Sequence, residues 1–138
     1  MRVFLDTNVL ASAFATRGLC ADVLRHVLAE HELLVGEVVL DELRRTLKTK
    51  LRVPAPLVAD IEELLRDHEL VPKPDRPSPV KLRDPDDRWI VASAVAGRAD
   101  VLVTGDRDLL DVADRLPIPV LDPRGFWNFL RKASHPTD

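Results

Sequence analysis

The 138-residue chain has one cysteine, Cys20, so no internal disulfide can form and a thiolate-rich zinc site is excluded. A lone thiol fits a reducing compartment. The four histidines, His26, His31, His68 and His135, show no close ligand-type spacing. No apolar run approaches the roughly 20 residues that a membrane span needs. The start, residues 1–6, meets the carboxylate of Asp6 too early for a secretory signal. A cytoplasmic protein with no membrane association is expected. Basic excess is also missing: 20 Lys and Arg stand against 23 Asp and Glu, a net charge of −3. That balance excludes an obligate nucleic-acid coat protein, but not an enzyme that cuts nucleic acid, whose carboxylates would themselves make the charge negative.

What is present suits a folded domain. Hydrophobic residues make up 46% and charged residues 31%. A chain of this length buries roughly two-thirds of its unfolded surface, enough for one core without covalent staples. A single domain over 1–138 is expected. Short apolar, largely β-branched runs at 3–5, 33–35, 70–71, 101–103 and 119–121 read as strands. Between them, apolar residues recur at helical spacing. One helix begins at Thr7 and frays near 16–18; others are predicted over 21–31, 38–51, 57–69, 87–98, 109–116 and 124–132. In the 38–51 helix, Val39, Leu40, Leu43, Leu47 and Leu51 form one stripe. Pro72, Pro74, Pro77 and Pro79 make 72–79 a stiff extended loop rather than a helix or central strand. Strands alternating with helices predict a three-layer α/β/α architecture around a central, mostly parallel sheet.

The acids fall at telling places. Asp6 follows the first strand directly, and ligands of open parallel sheets bind outside the carboxyl ends of the strands. Capping the next helix is the plainer role, but Thr7 or Asn8 would suffice for that. In Asp84-Pro85-Asp86-Asp87, Asp84 suits an N-cap and Pro85 a first helical position. Asp87 differs: Asp87, Ile90, Val91 and Ala94 lie at i, i+3, i+4 and i+7, so this carboxylate heads the buried stripe while Asp86 points elsewhere. Thr104-Gly105-Asp106-Arg107-Asp108 again follows a strand, though capping alone explains Asp106 and Asp108 as well as chemistry does. Glu42 lies on the rim of its stripe beside Val39 and Thr46, where periodicity does not select it.

Convergence makes the set informative. If the strands at 3–5 and 101–103 are neighbours, Asp6, Asp87 and Asp106 share one cleft. Two bare carboxylates about 4 Å apart repel by roughly 4 kcal/mol at an effective dielectric of 20. Such a cluster needs raised pKa values or a bound cation. Oxygen-only donors suit Mg²⁺ or Mn²⁺, and those ions suit phosphoryl chemistry.

The chain resembles the PIN-domain family, in particular the VapC-type toxins of toxin–antitoxin pairs. The likeness runs through Val3-Phe4-Leu5-Asp6-Thr7-Asn8-Val9, then Leu33-Leu34-Val35 with Val39-Leu40-Asp41-Glu42-Leu43. It continues through Asp84-Pro85-Asp86-Asp87-Arg88-Trp89-Ile90-Val91-Ala92 and Leu102-Val103-Thr104-Gly105-Asp106-Arg107-Asp108-Leu109. The resemblance implies a PIN-like fold and a metal-dependent ribonuclease acting on RNA. Its acidic quartet would be Asp6, Glu42, Asp87 and Asp106, as catalytic groups and ligands to Mg²⁺ or Mn²⁺, with Thr7, Asn8, Thr104 and Asp108 in support. It also implies a cognate antitoxin protein and a possible homodimer. Gly36 stands where such proteins often carry a serine cap, for which glycine is acceptable. The proline-rich loop before Asp84 resembles that of one subgroup of PIN proteins.

Weaker signals accompany these. Arg44, Arg45, Lys48 and Arg52 read as a basic face opposite the stripe, ordinarily solvated. Phe126, Phe129 and Leu130 lie at helical spacing, as core or dimer contact. Trp89 lies off its helix's buried stripe, against a partner or under the proline loop. Two rival functions remain open. One is a phosphatase of the haloacid-dehalogenase type, which also starts from an aspartate after the first strand but needs a second aspartate where this chain has Asn8. The other is a non-catalytic PIN scaffold binding RNA or protein, disfavoured by the presence of all four acids.

Overall fold

Five short parallel strands form one sheet in the order β3-β2-β1-β4-β5. They are β1 (Arg2–Leu5), β2 (Glu32–Gly36), β3 (Glu69–Val71), β4 (Val101–Val103) and β5 (Val120–Leu121). The computed structural model describes residues 1–134, apart from the side chain of Ser134, so His135 lies outside the described residues. Val3, Phe4 and Leu5 of β1 and Leu102 and Val103 of β4 are all buried. Successive strand side chains point to opposite faces, so both faces must be covered, as in a three-layer fold. Val3 registers with Leu33 on one side and Val101 on the other, and Leu5 with Val103.

The helices fill the crossovers. α1 (Thr7–Ala15) and α2 (Leu19–Glu30) join β1 to β2; α3 (Glu37–Arg45) and α4 (Ala55–Arg66) join β2 to β3. The proline loop and α5 (Pro85–Ala96) carry the chain back across the sheet to β4. α6 (Arg107–Leu110) and a 3₁₀ turn (Ala113–Arg115) lead to β5, and α7 (Pro123–Ser134) returns to pack on α2. The chain thus builds outward from β1 through β2 to β3, then restarts at β4 on the other side of β1.

Several boundaries differ from expectation for local reasons. The predicted 38–51 helix is α3 followed by a π-turn, Thr46–Lys50, closed by the Leu51 amide on the Thr46 carbonyl at 3.1 Å. Thr49 Oγ1 donates to the Arg45 carbonyl at 2.6 Å, the back-bonding that bends helices. The wider turn rotates Leu51 off the stripe, and it is 43% exposed. Arg52 is carried off the helix with φ 51, so it shares no face with Arg44 and Arg45. α5 starts at Pro85 rather than 87, because Asp84 accepts from the Asp86 amide at 2.9 Å. α6 begins two residues before the predicted 109 and ends at Leu110 rather than 116, because Asp106 caps it from in front. α4 spans 55–66 rather than 57–69, releasing Glu69 into β3.

The proline loop is pinned to α5. Ser78 and Arg88 exchange hydrogen bonds, amide to carbonyl at 2.9 Å and Arg88 Nε to the Ser78 carbonyl at 2.8 Å. Lys73 Nζ lies 4.6 Å from the centre of the Trp89 ring. Phe126 and Leu130 of α7 are core, whereas Phe129 is 48% exposed.

Gly36 is required by packing rather than by its backbone angles. A Cβ there would lie 2.7 Å from Ser93 Oγ and 2.9 Å from Phe4 Cζ. α5 therefore sits on the sheet at a distance that only hydrogen at position 36 permits. Gly36→Ala is expected to cost about 1–3 kcal/mol by overpacking. A thermal melt would show this as a Tm lowered by roughly 5 °C or more; an unchanged Tm would contradict the close approach.

Candidate active site

The break in strand order lies between β1 and β4, so the two chain segments leaving those strands diverge and open a crevice at their carboxyl ends. Asp6 leaves β1 and caps α1; Thr104, Gly105 and Asp106 leave β4, and Asp106 caps α6. The two exits are tied together. The Asp6 amide donates to the Val103 carbonyl at 3.0 Å, extending the sheet by one bond. Asp6 Oδ1 accepts from the Thr7 amide at 2.7 Å, and Oδ2 accepts from Thr104 Oγ1 at 2.8 Å and Asn8 Nδ2 at 3.3 Å. Asn8 Oδ1 accepts from the Gly105 amide at 2.9 Å, and Thr104 Oγ1 accepts from the Asp106 amide at 3.0 Å. Thr7, Asn8 and Thr104 thus position the acids.

Asp87 comes from the first turn of α5 and is 8% exposed, whereas its neighbour Asp86 is exposed. The helical-stripe reading of that pair therefore holds in three dimensions. Oxygens of Asp87, Asp106 and Asp108 lie within 4.8 Å of one another. Asp87 Oδ2 is buried without a hydrogen-bond partner. Asp108 is thus in the tightest group, whereas Asp6 and Glu42 stand beside it. Glu42 projects from α3, half-buried, and feels the Asp6 charge, while Asp41 is exposed and paired with Arg44 at 3.4 Å.

Crowding and burial disturb the protonation of Asp6, Glu42 and Asp87 in one direction. Burial is the main cause at Asp87, whose carboxyl is pushed up to about 8; the neighbouring Asp106 carboxyl and the charges of Asp6 and Asp84 add to it. The Asp6 carboxyl is raised by burial and by Asp106, against the hydrogen bonds from Thr104, Thr7 and Asn8. Glu42 is raised by burial and then by Asp6; Arg45 opposes the shift, as does the Thr7 hydroxyl, although that hydroxyl does not reach hydrogen-bonding geometry. Among the described residues, none of Asp6, Glu42, Asp87 and Asp106 forms an ion pair; the nearest is a 4.0 Å contact from Arg83 to Asp108. All-oxygen donors around an orphaned buried carboxylate oxygen are what a hard divalent cation accepts.

The raised values have a sign. Between pH 4 and 8 the folded protein holds protons that the unfolded chain has released, so stability falls as pH rises through that window. In EDTA, Tm is expected to drop from pH 5 to pH 8. Asp87→Asn imitates the protonated acid, so it should match the parent at pH 5. At pH 8 it should melt higher, by roughly 4 °C for each kcal/mol of relieved repulsion. An unchanged pH slope in the variant would show that Asp87 is not the strained group.

The family model for the PIN domain matches residues 2–108. No curated protein matches the chain in sequence. Among solved structures, the chain is similar in fold to VapBC2 from Rickettsia felis bound to a DNA fragment from their promoter. That likeness has a TM-score of 0.61 and 14% identity, over 88% of this chain and 98% of that one. FitAcB from Neisseria gonorrhoeae is similar at a TM-score of 0.57 and 19% identity, over 88% of this chain and 98% of that one. FitAB bound to an IR36 DNA fragment aligns at a TM-score of 0.60 and 19% identity, over 88% and 94%. With a match running from β1 through the acids that follow β4, this chain belongs to the PIN domain family.

Proposed function

We propose that the protein is a Mg²⁺- or Mn²⁺-dependent endoribonuclease, acting in the cytoplasm as the toxin of a type II toxin–antitoxin pair. The observation that carries this reading is the gathering of carboxylates at the β1–β4 crevice, where among the described residues only Asp108 meets a base, Arg83 at 4.0 Å. Asp87, Asp106 and Asp108 are grouped closely enough to share an ion, with Asp6 and Glu42 completing the set directly or through water. When bound, the ion supplies positive charge that holds the scissile phosphate and acidifies an attacking water. The chain's own part is to fix and neutralise. Thr7, Asn8 and Thr104 lock the Asp6 carboxylate in one orientation. Glu42, half-exposed with a raised pKa, is suited to take the proton released as water oxygen bonds to phosphorus and the P–O ester bond breaks, the leaving oxygen taking its proton from solvent water. No side-chain nucleophile takes part. Asn8 commits its amide to Gly105, Asp6 and Thr104, so it does not serve as the acid that a phospho-aspartate mechanism requires.

Single-stranded RNA is expected to be cleaved with Mg²⁺ or Mn²⁺ and left intact in EDTA. Asp6→Asn should lower the rate by more than about 100-fold, the upper end of what losing a supporting partner of a metal ligand costs. Its Tm should stay the same or rise. Asp60→Asn, on the exposed side of α4, should change neither. Full activity in EDTA, an active Asp6→Asn protein or a trapped phospho-enzyme would overturn the mechanism. Binding of RNA without cleavage under all ion conditions would favour a scaffold instead.

The likeness in fold to VapBC2 and FitAB supports a protein partner. Co-expression with the product of an adjacent gene is expected to give a stable complex without ribonuclease activity. The exposed Phe129 on α7 supports a homodimer. Sedimentation at micromolar concentration is expected to give twice the mass of the chain; a monomer throughout would remove the dimer.

A further inference from the structure

Beside Glu42, between α3 and α5, a cleft of about 260 Å³ opens whose walls combine carboxylates with apolar and cationic side chains. Val38, Ile90 and the half-buried Trp89 supply apolar surface, while Arg45 and Lys73 supply positive charge. Trp89 lies off the stripe that Asp87 heads, so the indole faces Glu42 and Asp86 across this cleft rather than the buried acid. Lys73 Nζ rests over the indole ring at 4.6 Å, on a loop stiffened by Pro72 and Pro74. Arg45 and Lys73 are exposed, and neither forms an ion pair among the described residues, unlike Arg2, Arg44 and Arg66.

These features select for one kind of occupant. Asp41, Glu42 and Asp86 also line the cleft, and they repel a phosphate placed close to them. A flat uncharged ring meets no such penalty there and gains a stacking partner. Arg45 and Lys73 then suit the phosphate attached to that ring. The volume admits one base with its sugar, not a duplex. We infer that this cleft is a subsite for a single unpaired nucleobase of the RNA, stacked on the Trp89 face that the Lys73 ammonium now covers, with its adjoining phosphate met by Arg45 and the displaced Lys73. The inference rests on the ribonuclease reading and adds to it a substrate requirement: one unstacked base beside the scissile bond. Because stacking scales with ring area and does not read base edges, a purine is preferred there without a strict base identity.

The test uses binding and cleavage separately. The chain has two tryptophans, so Trp127→Phe in an Asp6→Asn background leaves Trp89 as the sole indole. In EDTA, its fluorescence is expected to be quenched saturably by an RNA hexamer of adenylates, more weakly by uridylates, and not by an abasic hexamer. In the active protein, Trp89→Ala should raise KM for single-stranded RNA about tenfold, with a smaller effect on kcat, and Trp89→Phe should restore most of it. Lys73→Ala and Arg45→Ala should each flatten the plot of log Kd against log salt by roughly 0.7, the loss of one phosphate contact to a single strand. Both positions are exposed, so these variants report even if Trp89→Ala melts early. Quenching that is absent or equal with the abasic hexamer, or unchanged salt slopes, in a protein that still cleaves RNA would overturn the subsite and leave the nuclease standing. Base-dependent quenching in a protein that never cleaves would overturn the nuclease and leave the subsite.

Discussion

Asp6 is 3% exposed and accepts hydrogen bonds from the Thr7 amide, the Thr104 hydroxyl and the Asn8 side chain. A carboxylate buried this deeply without a cation is held only by such donors, and each one fixes a different part of the crevice. The Thr7 bond starts α1, the Thr104 bond ties the exit of β4 to that of β1, and Asn8 reaches on to the Gly105 amide. Thr104 then positions Asp106 by accepting from its amide. The parallel pairing of β1 with β4 and the placement of the acids are therefore one arrangement. A change that loosens Asp6 would shift Asp106 as well.

That coupling explains how much of the site could be read from residues alone. Asp6 and Asp106 each follow an apolar run of strand length, and Asp87 heads a helical stripe, so local pattern places three acids at element ends. Their meeting needed only the adjacency of the strands at 3–5 and 101–103, which the strand order supplies. Glu42 was different. Its position on the rim of α3 is shared by many solvated glutamates, and only the family likeness singled it out. Asp108 joins Asp87 and Asp106 because α6 begins two residues earlier than apolar spacing suggested. The π-turn after α3 was invisible to periodicity, since it arises from Thr49 bonding back to Arg45. The apparent basic face dissolved with it: Arg44 turns inward to Glu62 at 2.8 Å, Arg45 turns toward Glu42, and Arg52 leaves the helix. The cleft at Trp89 joins residues from α3, the proline loop and α5, a juxtaposition that no local pattern encodes.

The proline loop and Gly36 are two halves of one packing constraint on α5. Gly36 lets Ser93 approach the sheet, fixing the middle of the helix. The exchange of hydrogen bonds between Ser78 and Arg88 fixes its first turn from outside. Asp87 lies in that first turn, so it is held between a close contact and a loop whose prolines limit its motion. The position of one buried acid thus depends on residues outside the acidic cluster.

The two edges of the sheet make the strongest contrast in the molecule. At the amino edge, Arg2 donates to Glu32 at 2.8 Å, to Glu69 and to the Gly97 carbonyl at 2.7 Å, and its amide donates to Asp100 at 2.7 Å. There the acids of β2, β3 and the α5–β4 turn are answered by one guanidinium and one amide. At the carboxyl edge, Asp6, Glu42, Asp87 and Asp106 converge with no ion-paired base among the described residues. The chain has 20 basic side chains, so the lack of a counter-charge there is not a shortage of cations. A fold optimised only for stability would neutralise such a cluster or replace it with apolar residues, since unpaired buried charge is costly. Retaining it at the topological switch point, where Asp87 is pushed up to about 8, fits a site whose missing positive charge arrives from solution. Arg45 and Lys73, which line the cleft beside Glu42, form no ion pair among the described residues either, so the positive charge nearest the acids is left uncommitted.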